Sequence, residues 1–298
     1  MKNFLLIAVI VFLFACERET KVDIPESEPK IVVSCLLIPK KNIEIYICQS
    51  IYIYDTKEIP ITNATVDLYK ENVMIETIPH AENGFYRSDL QPEIGKSYSV
   101  EINVQGFKTI KAQTSVPIPV TIDSIKTTRN VGTSVNGRKL SYYQMFISSA
   151  GANNDISYYK YIFEVLTDSL DGYGQLNFNK AFSYDAVIMN EGDIYNRFFS
   201  TQLYNTSTFN LNLYFEDPAD LFFDIDTVRF TISSQMYSLS QELYLYEKSL
   251  KKYTENQNNI FEQNNPPLIY SNIENGYGIF AGLSFSNVIS ERVVIATK

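Results

Sequence analysis

Ala64-Thr65-Val66-Asp67-Leu68-Tyr69 alternates apolar and polar side chains, the period of a strand with one face buried and the other wet. The same two-residue period governs Glu44-Ile45-Tyr46-Ile47 and Ser97-Tyr98-Ser99-Val100-Glu101-Ile102, and turn residues separate the runs at Glu82-Asn83-Gly84, Gly95-Lys96 and Gly106. Short strands at this spacing predict a β-sandwich over 30–118, Ig-like or transthyretin-like. Val116-Pro117-Ile118-Pro119 ends it, because two prolines in four residues cannot both serve a central strand.

Beyond that seam, strand-like segments resume at Tyr142–Ile147, Tyr158–Leu166, Phe209–Phe215, Thr227–Ile232 and Ile279–Phe285, joined by loops richer in Asn, Ser and Asp. The expectation is a second antiparallel β domain over 119–298, making the whole chain mainly β. One segment departs from the pattern. Leu239, Leu243, Tyr246, Leu250 and Tyr253 step by four and three, which places them on one face of an amphipathic helix over 239–255. Ser238 with Gln241 suits a capping box, and Glu247 with Lys251 an i,i+4 pair.

The N-terminus carries an address. Lys2 precedes the uncharged run Phe4–Phe14, too short to span a bilayer but suited to a signal peptide over 1–15. Leu13-Phe14-Ala15-Cys16 resembles a bacterial lipobox, so Cys16 is the expected site of lipidation, and two or more acyl chains would hold the chain on a membrane. Residues 16–29 are charged and poor in apolar groups, as an acidic flexible tether would be. About 270 residues remain, room for two domains.

The net charge of −9 repels nucleic acid, which is excluded as a default partner, while 45% hydrophobic residues suffice for real cores. Cys35 and Cys48 lie on runs joined by Pro39-Lys40-Lys41-Asn42. A hairpin closed there brings them close to opposite, so an exported chain could form a disulfide; otherwise they are two small hydrophobes.

Chemistry is sparse. His80 is the one histidine, in a turn-like stretch, which leaves no His-based metal triad and no well-supported Ser-His-Asp arrangement. Carboxylates gather in Glu216–Asp226. Asp217, Asp220, Asp224 and Asp226 could ligate Ca²⁺, but the spacing is not that of an EF-hand, and a solvated acidic loop beside a strand is the favoured reading, so no metal site is expected. A carboxylate hydrolase acting there is the enzymatic alternative. Neither catalytic residues nor cofactors are expected. Asp123-Ser124-Ile125, Asp168-Ser169-Leu170 and Asp226-Thr227-Val228 resemble a Bacteroidetes O-glycosylation acceptor, naming Ser124, Ser169 and Thr227.

After the helix comes Pro266-Pro267-Leu268-Ile269-Tyr270-Ser271-Asn272-Ile273-Glu274-Asn275-Gly276-Tyr277-Gly278-Ile279-Phe280-Ala281-Gly282. This closing motif, with the lipobox, the Ile31-Val32-Val33 strand and the Val116-Pro117 exit, resembles the Bacteroidetes lipoprotein family called domain of unknown function 4249 (DUF4249). The punctuation of the first sandwich is also similar to carboxypeptidase regulatory-like modules. The DUF4249 resemblance implies an outer-membrane lipoprotein associated with a TonB-dependent receptor, and no catalytic residue. A structural or adhesive surface protein is the alternative from another class. Tyr270, Tyr277 and Phe280 are candidates for a partner surface, or else they pack under the helix. Gly276, Gly278 and Gly282 suit a tight turn and a strand lying close under another element.

Overall fold

The computed structural model describes residues 28–51, 57–149, 156–168, 176–178, 180–203, 208–221, 227–257 and 267–296. The chain is mainly β, with several antiparallel sheets and one longer helix. Its first part forms β1 (Ile31–Leu37), β2 (Glu44–Gln49), β3 (Ile59–Pro60), β4 (Thr65–Lys70), β5 (Val73–Thr77), β6 (His80–Glu82), β7 (Phe85–Arg87), β8 (Ser97–Asn103) and β9 (Ile110–Ser115). Its second forms β10 (Val120–Thr133), β11 (Lys139–Ser149), β12 (Tyr158–Thr167), β13 (Asn177–Phe178), β14 (Phe198–Ser200), β15 (Thr208–Glu216), β16 (Thr227–Leu239), β17 (Tyr277–Phe285) and β18 (Ile289–Ala296). Among the described residues, two α-helices interrupt the strands: α1 (Ala186–Met189), a single turn, and α2 (Gln241–Gln257).

One sheet of eleven strands runs through both parts in the order β13-β12-β16-β17-β1-β2-β7-β6, with β14, β18 and β3 paired to its side. Two smaller sheets cover it: β5-β4-β8-β9 over the first part and β10-β11-β15 over the second. Each layer pair encloses its own core. Val33, Ile45, Ile47, Leu68, Val100 and Ile110 belong to the first, and Tyr143, Met145, Phe163, Leu213, Phe230 and Ile232 to the second. Residues 116–119, between β9 and β10, carry no strand. The division into cores therefore falls there, but the C-terminal segment returns across it, since Ile273 and Phe280 are buried in the first core.

That return is made by a parallel pairing. β17 runs alongside β1, with Val32 beside Tyr277 and Leu37 beside Gly282, and it pairs antiparallel with β16 on its other edge. Alternation then gives β17 two jobs: Phe280 faces the first core, while Ile279, Ala281 and Leu283 face α2 through Leu243 and Tyr244. The closing glycines permit this. Gly278 has φ of +109°, and a Cβ there would lie 1.9 Å from the Val33 carbonyl oxygen.

The helix begins two residues later than the spacing predicts. Leu239 is still the last residue of β16, and the cap is Ser240, whose Oγ accepts from the Leu243 N–H at 3.3 Å. Ser238, expected in that role, is a buried strand residue. Lys251 reaches Asp193 at 3.3 Å and Glu255 at 3.7 Å rather than Glu247. Tyr244 donates to the Glu191 carboxylate at 2.6 Å, and Lys248 pairs with the same carboxylate at 2.7 Å, so the polar side of α2 is bound to the loop after α1.

Candidate ligand-binding site

The segment after β13 builds the wall of a cavity at one end of the second sandwich. Phe182 exchanges both backbone hydrogen bonds with Tyr214, at 3.0 and 2.8 Å, extending the free edge of β15 by a single bridge. Its ring stacks on that of Tyr214 at 5.6 Å and 19°, and the rings of Tyr184 and Tyr195 meet it edge-on at 5.6 and 5.7 Å. Offset and edge-to-face contacts of this kind hold aromatic groups in fixed relation.

A polar clamp fixes the segment to the sheet. The Asp185 carboxylate accepts from the backbone N–H of Asn212 at 2.6 Å and from its side-chain amide at 2.7 Å. The Asn212 carbonyl oxygen in turn accepts from Gln144 at 2.8 Å and from the Tyr142 hydroxyl. Burial, then the neighbouring Tyr214 and Asp185, pushes the Tyr142 phenol above its ordinary range, so it stays a donor. The wall is thus held before any ligand arrives.

The cavity behind it measures about 620 Å³. Core residues Phe163, Val165 and Phe215 form its floor, and the β10–β11 turn with Val135 and Arg138 forms the opposite lip. Tyr184 is 62% exposed and Tyr195 45%, so ring surface faces solvent at the mouth. Lys180 places its ammonium 5.3 Å from the centre of the Tyr195 ring, a cation–π contact. Arg138 pairs with Glu216 at 3.0 Å.

The sequence reading did not find this site. Phe182, Tyr184 and Tyr195 sit in the Asn- and Asp-rich stretch taken there for loops, and the long-range pairing to Tyr214 leaves no local signature. The density of aromatics among turn residues was the available signal.

Residues singled out from sequence are scattered. Cys16, Ser169, Asp224 and Asp226 lie outside the described residues. Cys35 and Cys48 are separate free cysteines, and the disulfide expectation is corrected by register. Val33 faces Ile47 and Cys48 faces Val32, so Cys48 is three residues from Cys35 along the ladder and on the other face of the sheet. Cys35 belongs to the first core, where burial pushes its thiol well above the ordinary range.

Asp217, offered as a calcium ligand, is a structural anchor. It is 1% exposed, pairs with Arg129 at 2.7 Å, and accepts from Ser141 at 3.0 Å and from the Ala219 N–H at 3.0 Å. Asp220 accepts from the Lys139 N–H at 2.9 Å. Among the described residues no group of three His, Cys, Asp or Glu is placed to hold a metal ion. His80 lies in the short strand β6, with its ring 5.3 Å from that of Tyr86, rather than in a turn.

The proposed partner surface divides. Phe280 is fully buried and leaves it. Tyr277 is 49% exposed, with the Lys30 ammonium 4.6 Å from its ring centre. Tyr270 is half-buried against α2, its N–H donating to Ser249 at 2.8 Å. Ser124 is exposed beside a register shift in β10, and Thr227 is half-buried at the start of β16.

Comparison with known proteins gives one informative match. The family described as "Domain of unknown function (DUF4249)" matches residues 17–287. No curated protein matches. Among solved structures, one described as "Biofilm associated protein - B domain" is similar at 9% identity, covering 87% of this chain and 85% of that chain, with a TM-score of 0.21.

Proposed function

The chain belongs to the DUF4249 family, and from that premise we propose that it is a non-enzymatic binding lipoprotein of the outer membrane, accessory to a TonB-dependent receptor. It is held to lipid through acylated Cys16, and its tether lifts the two sandwiches off the bilayer. The cavity walled by Phe182, Tyr184 and Tyr195 is the observation that carries the binding half of this reading. Its wall is fixed by the Asp185–Asn212 clamp, and fixed walls lower the ordering cost of binding. A volume of about 620 Å³ falls in the range of small-molecule sites.

The anchor is tested by labelling cells with palmitate: label should enter the wild type and not Cys16→Ala, which leaves the membrane fraction or stays unprocessed. Equal labelling of both rejects the lipoprotein. The association is tested by pull-down of the native lipoprotein from solubilised outer membranes, where a TonB-dependent receptor should co-purify in near-equal amount. Its absence rejects the accessory role.

A further inference from the structure

We propose that the cavity beside Phe182 takes an amphiphilic organic anion, an apolar or aromatic body ending in a single anionic group. This rests on the reading of the chain as a binding protein and adds the class of ligand.

Three observations carry it. The floor reaches the apolar core at Phe163 and Phe215, and the mouth is edged by exposed ring surface of Tyr184 and Tyr195, so the space favours an apolar body over a hydrated one. The charges at the rim do not cancel. Glu216 is matched by Arg138 at 3.0 Å, whereas Lys180 lies over the Tyr195 ring and pairs with no carboxylate among the described residues. In a chain of net charge −9, a cation left unmatched beside a cavity marks where an anion is tolerated. Salt confines the repulsion from distant carboxylates to about 8–10 Å, so the local ammonium dominates at the mouth.

The test uses the mature lipidated protein in nanodiscs, with empty discs as reference, titrated calorimetrically with naphthalene-2-sulfonate and with neutral 2-naphthalenemethanol. One sulfonate should bind per chain, more tightly than the alcohol. Lys180→Glu should weaken the sulfonate roughly tenfold, as reversal of a partly exposed charge does, and leave the alcohol nearly unchanged. Tyr184→Ala, which removes ring surface at the mouth, should weaken both. Absence of saturable sulfonate binding overturns the proposal, as does an unchanged affinity in Lys180→Glu. If both naphthalenes fail while the receptor still co-purifies, the ligand class falls and the accessory role stands. If the sulfonate binds as expected and no receptor co-purifies, the reverse holds.

Discussion

A Cβ on Gly282 would lie 2.0 Å from the carbonyl oxygen of Ser115. That contact joins the end of the first sandwich to the middle of the closing strand, and three hydrogen bonds lie beside it. Ser240 and Gly282 are tied at 2.9 and 3.2 Å, and Thr114 donates to Glu242 in the first turn of α2 at 2.8 Å. Three elements meet where no side chain fits.

Gly282→Ala should therefore destabilise by about 1–3 kcal/mol, the usual cost of forcing extra volume into a packed site. Thermal unfolding would show a fall of several degrees. An unchanged melting temperature would mean that β9 can move off β17 at no cost.

Phe280 and Tyr277 are three residues apart on one strand and should behave oppositely. Phe280→Ala removes a fully buried ring from the first core and should cost about 3–5 kcal/mol. Tyr277→Ala removes a half-exposed ring and should shift stability by about 0.5 kcal/mol or less. Chemical denaturation separates the two. A large loss in Tyr277→Ala would take that residue out of any partner surface.

Asp217 is predicted to stabilise through its protein partners and not through calcium. Asp217→Ala leaves Arg129 and Ser141 without their acceptor and should cost about 3 kcal/mol, the low end for a broken buried pair, because Arg129 keeps partial access to water. Millimolar Ca²⁺ or EDTA should not move the wild-type melting temperature. A rise with Ca²⁺ that EDTA reverses would restore the metal reading.

Tyr161 carries a buried hydroxyl with no partner among the described residues. Burial pushes its phenol up to about 12 from an ordinary value near 10, and Tyr143, whose oxygen accepts from Ser234 at 3.0 Å, is also pushed up to about 12. A raised phenol favours the folded state until the unfolded chain begins to ionise. The contribution is present below pH 10 and is lost as pH rises through about 12. Tyr161→Phe should be at least as stable as wild type at neutral pH, because it removes an unpaired buried polar group, and should lose stability less steeply in alkali. Urea melts across pH 9–12 measure both, and an equally steep loss would show that Tyr161 ionises freely in the folded chain.

How much of this was legible in sequence follows the range of the interactions. Two-residue alternation located β4 and β8, and the stripe from Leu243 to Leu250 located α2, because both signals are local. Ser240 was missed as the cap because strand β16 runs straight into the helix and Leu239 fits either period. The register of β1 against β2 depends on the turn at Lys40, whose positive φ of 66° no pattern of apolar residues encodes. The placement of β17 beside β1 and of Phe182 beside Tyr214 pairs distant segments, and with them went the site.

The first strand waits for the last. β1 gains β2 within a hairpin's length of synthesis, but its other edge stays open until Tyr277–Phe285 arrives, with nearly the whole chain between. Contacts so remote in sequence close slowly, and an apolar strand edge left open meanwhile is an invitation to mispair with another chain. Any premature stop before Tyr277 strands the molecule in that condition. The quality-control burden on this protein therefore falls on full-length completion, and its truncated forms should be found aggregated or degraded rather than as stable fragments.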